Sequence, residues 1–292
     1  MKTLTPIAAA VLFAASSSVL AAGNTTTQTQ AGAGNFQSAT QIGPGVDDNT
    51  INQNQTGFSN SEVAVQTGGE DLSSISQAQA GTLNSAFSLQ SDGQLNSAQT
   101  AQTGTLNSAV TLQLAEFGSS ASVTQSGSGN FGLVLQTLGA FNTARITQSG
   151  SANIAAIVQL GTFGQKTSID QSGIANIAIL VQNMFGNTST YVQSGFANIA
   201  DHDQLGFFNS ATSVQFGAFN DSDIDQIGDL NTAIHIQVGL LNDADTLQIG
   251  FGHDAITTQV GIANFHSTIQ LGLSETAVAA QAGIGNVGMI VQ

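Results

Sequence analysis

Charge is scarce in this 292-residue chain. Only 7% of its residues are Asp, Glu, Lys or Arg, against about a quarter in an average soluble protein. Basic residues number three, Lys2, Arg145 and Lys166, against 18 acids, for a formal net charge of −15. A chain without a basic patch cannot neutralise phosphates, which argues against nucleic-acid binding. Cysteine is absent, which excludes disulfide frameworks, thiol catalysis and Cys-based metal sites. Beyond the N-terminus no run is long and apolar enough to span a membrane. What is abundant is glycine, 33 residues, with many Asn, Gln, Ser and Thr. Hydrophobic residues reach 41%, so the composition is not that of a typical disordered polymer either.

Residues 1–22 read as a secretory signal peptide. Lys2 supplies the positive start, Ile7 to Ala15 the short apolar core, and Ala21 and Ala22 the small residues for cleavage. Residues 23–29 read as a short polar tail. From residue 30 to residue 292 one motif repeats, and a fixed period is the signature of a repeat architecture.

The period is clearest at the C-terminal end. Glutamine recurs every 11 residues at Gln193, Gln204, Gln215, Gln226, Gln237, Gln248, Gln259, Gln270, Gln281 and Gln292. A glycine follows two residues later: Gly195, Gly206, Gly217, Gly228, Gly239, Gly250, Gly261, Gly272 and Gly283. Asparagine follows three after that, at Asn198, Asn209, Asn220, Asn231, Asn242, Asn264 and Asn286. Between Gln79 and Gln171 the spacing alternates between 11 and 12. Strict alternation makes the structural unit a pair of repeats, one of whose turns is a residue longer. The 23 intervals between successive glutamines give about eleven and a half such units.

Gly and Asn tolerate positive φ, so they read as turn residues. The seven residues from Asn153 to Gln159 match a strand, whose side chains alternate between faces. Parity groups Asn153, Ala155, Ile157 and Gln159 on one face, and groups Asn220, Ser222, Ile224 and Gln226 against Asp221, Asp223 and Asp225. Charges fall on the second set, so the Asn/small/apolar/Gln face points inward. The expected fold is all-β: a β-solenoid of two parallel in-register sheets, with cross-β stacking of two-strand rungs. Buried amides cost about 1–3 kcal/mol each when unpaired. In-register stacking lets each bond its copy in the rungs above and below.

The repeat resembles that of the curlin family, the subunits of curli, extracellular amyloid fibres of bacterial biofilms. The resemblance rests on the inward strand ending in Gln, the x-Gly-x-x-Asn that follows, and the next Gln. Asn stands at 18 of the 23 positions; Ser73, Ser119, Gln165, His253 and Glu275 are the exceptions. It implies secretion via the periplasm and assembly into fibres on the extracellular cell surface. The implied partners are copies of the chain itself, a nucleator subunit, periplasmic chaperones and an outer-membrane export pore. Curli subunits usually carry about five rungs, fewer than half the number here.

Four histidines, His202, His235, His253 and His266, fall inward on different rungs, and the turns leave no long loop for catalytic groups. An enzyme is therefore not expected, and neither is a cofactor. Asp201, Asp223 and Asp245 lie on alternate repeats and should form an outward column, a charged face or a divalent-cation site of oxygen ligands. Apolar residues gather in the turns at Phe207, Phe208, Phe219, Leu240 and Leu241, where lateral contact between fibres is expected. The expected function is that of a structural subunit stacking end to end through open strand edges. The alternative is a monomeric extracellular solenoid that binds a surface, as an adhesin or an ice-binding protein does.

Overall fold

A computed structural model describes residues 23–43 and 46–292; the expected signal peptide, residues 1–22, lies outside the described residues. The described chain is all strand and turn. One sheet holds the odd-numbered strands β1 (Thr25–Ala33), β3 (Thr50–Phe58), β5 (Ser74–Thr82), β7 (Ser97–Thr105), β9 (Ser120–Ser128), β11 (Thr143–Ser151), β13 (Lys166–Ile174), β15 (Thr188–Phe196), β17 (Ser210–Ala218), β19 (Thr232–Leu240), β21 (Asp254–Ile262) and β23 (Thr276–Ile284). The other holds β2 (Phe36–Ile42), β4 (Ser61–Thr67), β6 (Ser85–Ser91), β8 (Ser108–Leu114), β10 (Phe131–Thr137), β12 (Ile154–Phe163), β14 (Ile177–Phe185), β16 (Ile199–Phe207), β18 (Asp221–Asp229), β20 (Asp243–Phe251), β22 (Phe265–Leu273) and β24 (Val287–Val291). Each odd strand and the even strand after it form one rung. All neighbours within a sheet are parallel with Gln over Gln, as in the strand pairs where Gly also stands over Gly, and the register is interrupted once, beyond the Gln pair of β12 and β14.

Twelve rungs result, not eleven and a half. Each glutamine marks a strand, so 24 glutamines make 24 strands, whereas intervals undercount by one. The expected tail is also part of the solenoid. Strand β1 starts at Thr25, and the Asn24 side chain already accepts from the backbone N–H of Asn49 (2.9 Å). A strand opens on its Asn and closes on its Gln, so the first copy begins at Asn24 rather than Gln30.

Side chains alternate as the parity requires. Strand β10 reads exposed or half-buried at Phe131, Leu133 and Leu135, and buried at Gly132, Val134 and Gln136. The two inner faces meet in a thin core of Ala, Val, Ile and Leu, with Ile146, Ile157, Ile169 and Leu180 fully buried. At about 4.8 Å per rung the twelve rungs span roughly 55 Å.

One expectation about the turns is corrected. The asparagines do not adopt positive φ; the residue just before each one does, whatever its side chain, as at Leu106 (58°), Ala152 (56°), Phe208 (56°) and Leu241 (57°). The left-handed residue makes the corner and frees the Asn to point inward. The alternation of 11 and 12 has a local cause as well. In the N-terminal half the corner after each even strand is long and carries its own bridges, from Asp47 through Asp71, Gln94, Phe117 and Ala140 to Phe163. Between β12 and β14 the register slips near Leu160. From there on every corner is short.

Candidate functional site

The repeating glutamines build two unbroken amide ladders along the axis. In the odd sheet, Nε2 of Gln125 donates to Oε1 of Gln148, which donates to Gln171, which donates to Gln193, each at 2.8 Å. The same chain runs from Gln30 to Gln281 in this sheet and from Gln41 to Gln292 in the other. Each Nε2 has a second hydrogen, and in most of the glutamines it crosses the core. Gln148 donates to the carbonyl of Phe131 (2.9 Å) and Gln171 to that of Ile154 (2.9 Å). The glutamines therefore join rung to rung and sheet to sheet, and most of their buried amide hydrogens are paired.

Asparagine ladders run the opposite way. Asn153 donates its backbone N–H and its Nδ2 to Oδ1 of Asn130, both at 3.1 Å, and Nδ2 also reaches the carbonyl of Gly173. Donors of the Gln ladders thus face the C-terminal end of the solenoid, and donors of the Asn ladders face the N-terminal end. The rung has a fixed polarity.

Two of the Asn exceptions are repaired by a residue that sequence reading missed. A serine at position 119 is too short to replace Asn fully. Its Oγ accepts from the N–H of Asn142 (3.1 Å), but Asn142 Nδ2 turns to the carboxylate of Glu116 (3.1 Å), which also takes the Ser119 hydroxyl (2.6 Å). Ser73 and Glu70 repeat this arrangement with Asn96. Glycine stands over each glutamate in the next rung, Gly93 and Gly139, because a Cβ there would strike Nδ2 of Asn96 or Asn142 and the backbone of the rung beyond. The signal was legible: Glu-x-x-Ser where the other copies have an Asn. Burial raises the pKa of both glutamates. Glu116→Ala should leave Asn142 Nδ2 and the Ser119 hydroxyl short of an acceptor, at a cost of about 1–3 kcal/mol each. Hydrogen exchange should then accelerate in β8 to β11, while Glu116→Gln should keep most of the protection.

The histidines lie inside, as parity placed them. His202 and His235 belong to a buried hydrogen-bonded chain: Ser189 Oγ, His202, Ser213 Oγ, Ser222 Oγ, His235 and Thr246 Oγ1, with contacts of 2.6–2.8 Å. Burial lowers both pKa values, that of His235 to about 3, so both rings are neutral and serve as polar core. The Tyr191 ring stacks on His202 at 4.0 Å. His253 occupies an Asn position, its N–H donating to Oδ1 of Asn231 (3.1 Å).

Outside, Asp201, Asp223 and Asp245 stand in register on β16, β18 and β20. Asp203, Asp221, Asp225 and Asp243 flank them, making seven aspartates on one face. The column runs along the axis with one carboxylate per rung, and among the described residues no three His, Asp or Glu groups converge to hold a metal ion. The expectation of a cation site has no coordinating geometry behind it. Partial burial and, after it, the charges of Asp225, Asp201, Asp245 and Asp221 raise Asp223 to about 7. Asp201 and Asp243 rise to about 6. A carboxyl raised in the folded state favours folding most at low pH, and that advantage is lost as pH climbs from about 4 towards 7. Hydrogen-exchange protection factors in β16 to β20, with the base-catalysed intrinsic rate divided out, should therefore rise on acidification from pH 7.5 to 4. Asp223→Asn should reproduce much of that rise at pH 7.5 and add little at pH 4.

The turn residues expected to make lateral contacts are exposed: Phe207, Phe208, Phe219, Leu240 and Leu241. Some are already paired along the rod. Phe185 stacks on Phe207 with centroids 5.3 Å apart, and Phe196 meets Phe219 edge-on at 5.2 Å. No helix among the described residues is long and apolar enough to cross a membrane. No family model matches the chain, and no curated protein matches it.

Proposed function

We propose that this chain is a structural subunit of a secreted, curli-like fibre, in which copies stack end to end and lengthen the ladders from one molecule into the next. The observation that carries this reading is the polarity of the rung. Every rung offers Gln donors and Asn acceptors towards one end and the complementary groups towards the other, with Gln stacked over Gln. A surface complementary to its own translated copy makes a heterologous contact, which grows as an open filament rather than closing. Backbone N–H and C=O groups point along the same axis, as in cross-β stacking.

On this reading the ladders serve adhesion and matrix building, and His202 and His235, buried and neutral, are part of the polar core. Export via the periplasm to the cell surface, a nucleator, chaperones and an outer-membrane pore come with the curlin resemblance and belong to this proposal. Fibre diffraction tests the core of it. The purified chain should form filaments at rising concentration with a meridional reflection near ~4.7 Å. A protein that stays monomeric at high concentration overturns it.

A further inference from the structure

The two outer faces of the solenoid differ in chemistry. In rungs two to seven the outward residues of the odd sheet are mostly hydroxyl or amide side chains, for example Ser122, Thr124, Thr147 and Ser168. In the same rungs the even sheet turns out Val63 and Val65, then Phe87 and Leu89, and so on to Ile179 and Val181. These side chains are half-buried by their neighbours in the column or exposed. The next three even strands carry the seven aspartates. One face is thus an apolar stretch over six strands, followed directly by an acidic block.

The apolar stretch measures about 29 Å along the axis and about 23 Å along the strands, or roughly 650 Å² per copy. Two copies would bury roughly 1,300 Å² in all, within the range of specific interfaces. Like charges constrain the arrangement. Two rods packed face to face in the same direction and level would set seven aspartates against seven. With one rod reversed about an axis between β8 and β10, the acidic block of each copy lies opposite or beyond the other's first rung, whose outward residues Phe36, Ser38 and Thr40 carry no charge. That reversal sets β6 against the partner's β12, so the largest side chain of the stretch, Phe87, lies over its smallest, Ala156. It likewise sets Val63 over Ile179, and Leu112 over Leu135.

We propose that the apolar face of the even sheet is a pairing surface for a second copy of this chain, bound antiparallel, with the aspartates excluding the parallel alternative. Such a pair closes about a two-fold axis, whereas end-to-end stacking stays open. The inference rests on the chain folding as this solenoid and stands whether or not filaments form.

The absence of native cysteine makes single-thiol variants direct probes. With a short bis-maleimide on the freshly dissolved chain, Leu112→Cys should cross-link to itself, because the two copies of residue 112 flank the axis. Val63→Cys should not, because its copies are about five rungs apart, or roughly 24 Å, but it should cross-link to Ile179→Cys when the two are mixed. Leu112→Asp with Leu135→Asp should weaken pairing by on the order of 100-fold, since four carboxylates would enter an apolar contact. Ser122→Asp with Thr124→Asp, on the other face, should leave it unchanged. Self-cross-linking of Val63→Cys as strong as that of Leu112→Cys would overturn the antiparallel arrangement, and no cross-linking at any position would overturn the pair. Electron microscopy of the same samples separates the two proposals: cross-links without filaments defeat end-to-end stacking alone, and filaments without cross-links defeat the pair alone.

Discussion

Gly173→Ala should unfold the rungs around it, whereas Gly129→Ala should be nearly silent. Gly173 has φ of 109° and stands in register with Gly150 before it and Gly195 after it. A Cβ built on Gly173 overlaps the carbonyl oxygen of Gly195, and the obstacle is backbone, which cannot move aside without breaking the ladder. Backbone strain of this class costs about 1–3 kcal/mol before any clash is added. The clash adds to it, because rungs one strand spacing apart leave no room between stacked glycines. Gly129 is different in kind. Its φ of 66° is the left-handed corner conformation that Leu106 and Ala152 already adopt in neighbouring rungs, and a Cβ there meets nothing within 4 Å. Alanine should cost about 1 kcal/mol at that position. Chemical denaturation of the two variants beside the parent checks this. Equal midpoints for the two would refute the account of the glycine column.

Glu62 should make the N-terminal rungs sensitive to alkali. It lies inside the core with no exposed surface, takes one hydrogen bond on Oε2 from Gln37 Nε2 (3.0 Å), and has no partner for Oε1. Burial raises its pKa to about 8, against 4.5 in an open chain, and the Gln37 bond offsets this only in part. Between those values the folded state holds a proton that the unfolded state has lost. Stability therefore falls as pH rises from about 4.5 to about 8, and the penalty is complete above that. The full shift corresponds to up to about 5 kcal/mol at 1.36 kcal/mol per unit. Because stability in a stacked repeat is largely local, the loss should appear in β2 to β6. Hydrogen-exchange protection factors there, with the base-catalysed intrinsic rate divided out, should fall between pH 5 and 9, and Glu62→Gln, of the same shape but neutral, should remove most of that fall. An unchanged pH profile in Glu62→Gln would place the sensitivity elsewhere.

Glu62 also shows where reading the sequence runs short. Parity alone puts it on the inward face, between Gln37 and Ala86 in its column, yet a lone acid in a repeat looks like an exposed substitution. Glu70 and Glu116 are comparable: their spacing to Ser73 and Ser119 is visible in the chain, but their purpose appears only when Asn96 and Asn142 are seen to need an acceptor. The aspartate column was legible because its members share a parity and a period. How far its carboxylates are desolvated was not, since that depends on the neighbouring rungs.

The sequence by itself determined the solenoid. A period of 11 and 12 residues with Gln, Gly and Asn at constant offsets permits only in-register stacking, because no other arrangement pairs so many buried amides. Parity within each strand then decided which side chains face the core. The tertiary structure decided what depends on a neighbouring rung or on the opposite sheet. It turned the second Gln hydrogen across the core, moved the positive φ from Asn to the residue before it, and brought Glu116 under Asn142 from 26 residues away. It also put the outward residues of alternate strands on opposite faces, so that an apolar surface, diluted by Ser and Thr in the linear chain, became continuous. The physical reason is the same in each case. A period specifies contacts between equivalent positions, whereas contacts between non-equivalent ones depend on how far apart the sheets stand and which way each corner turns.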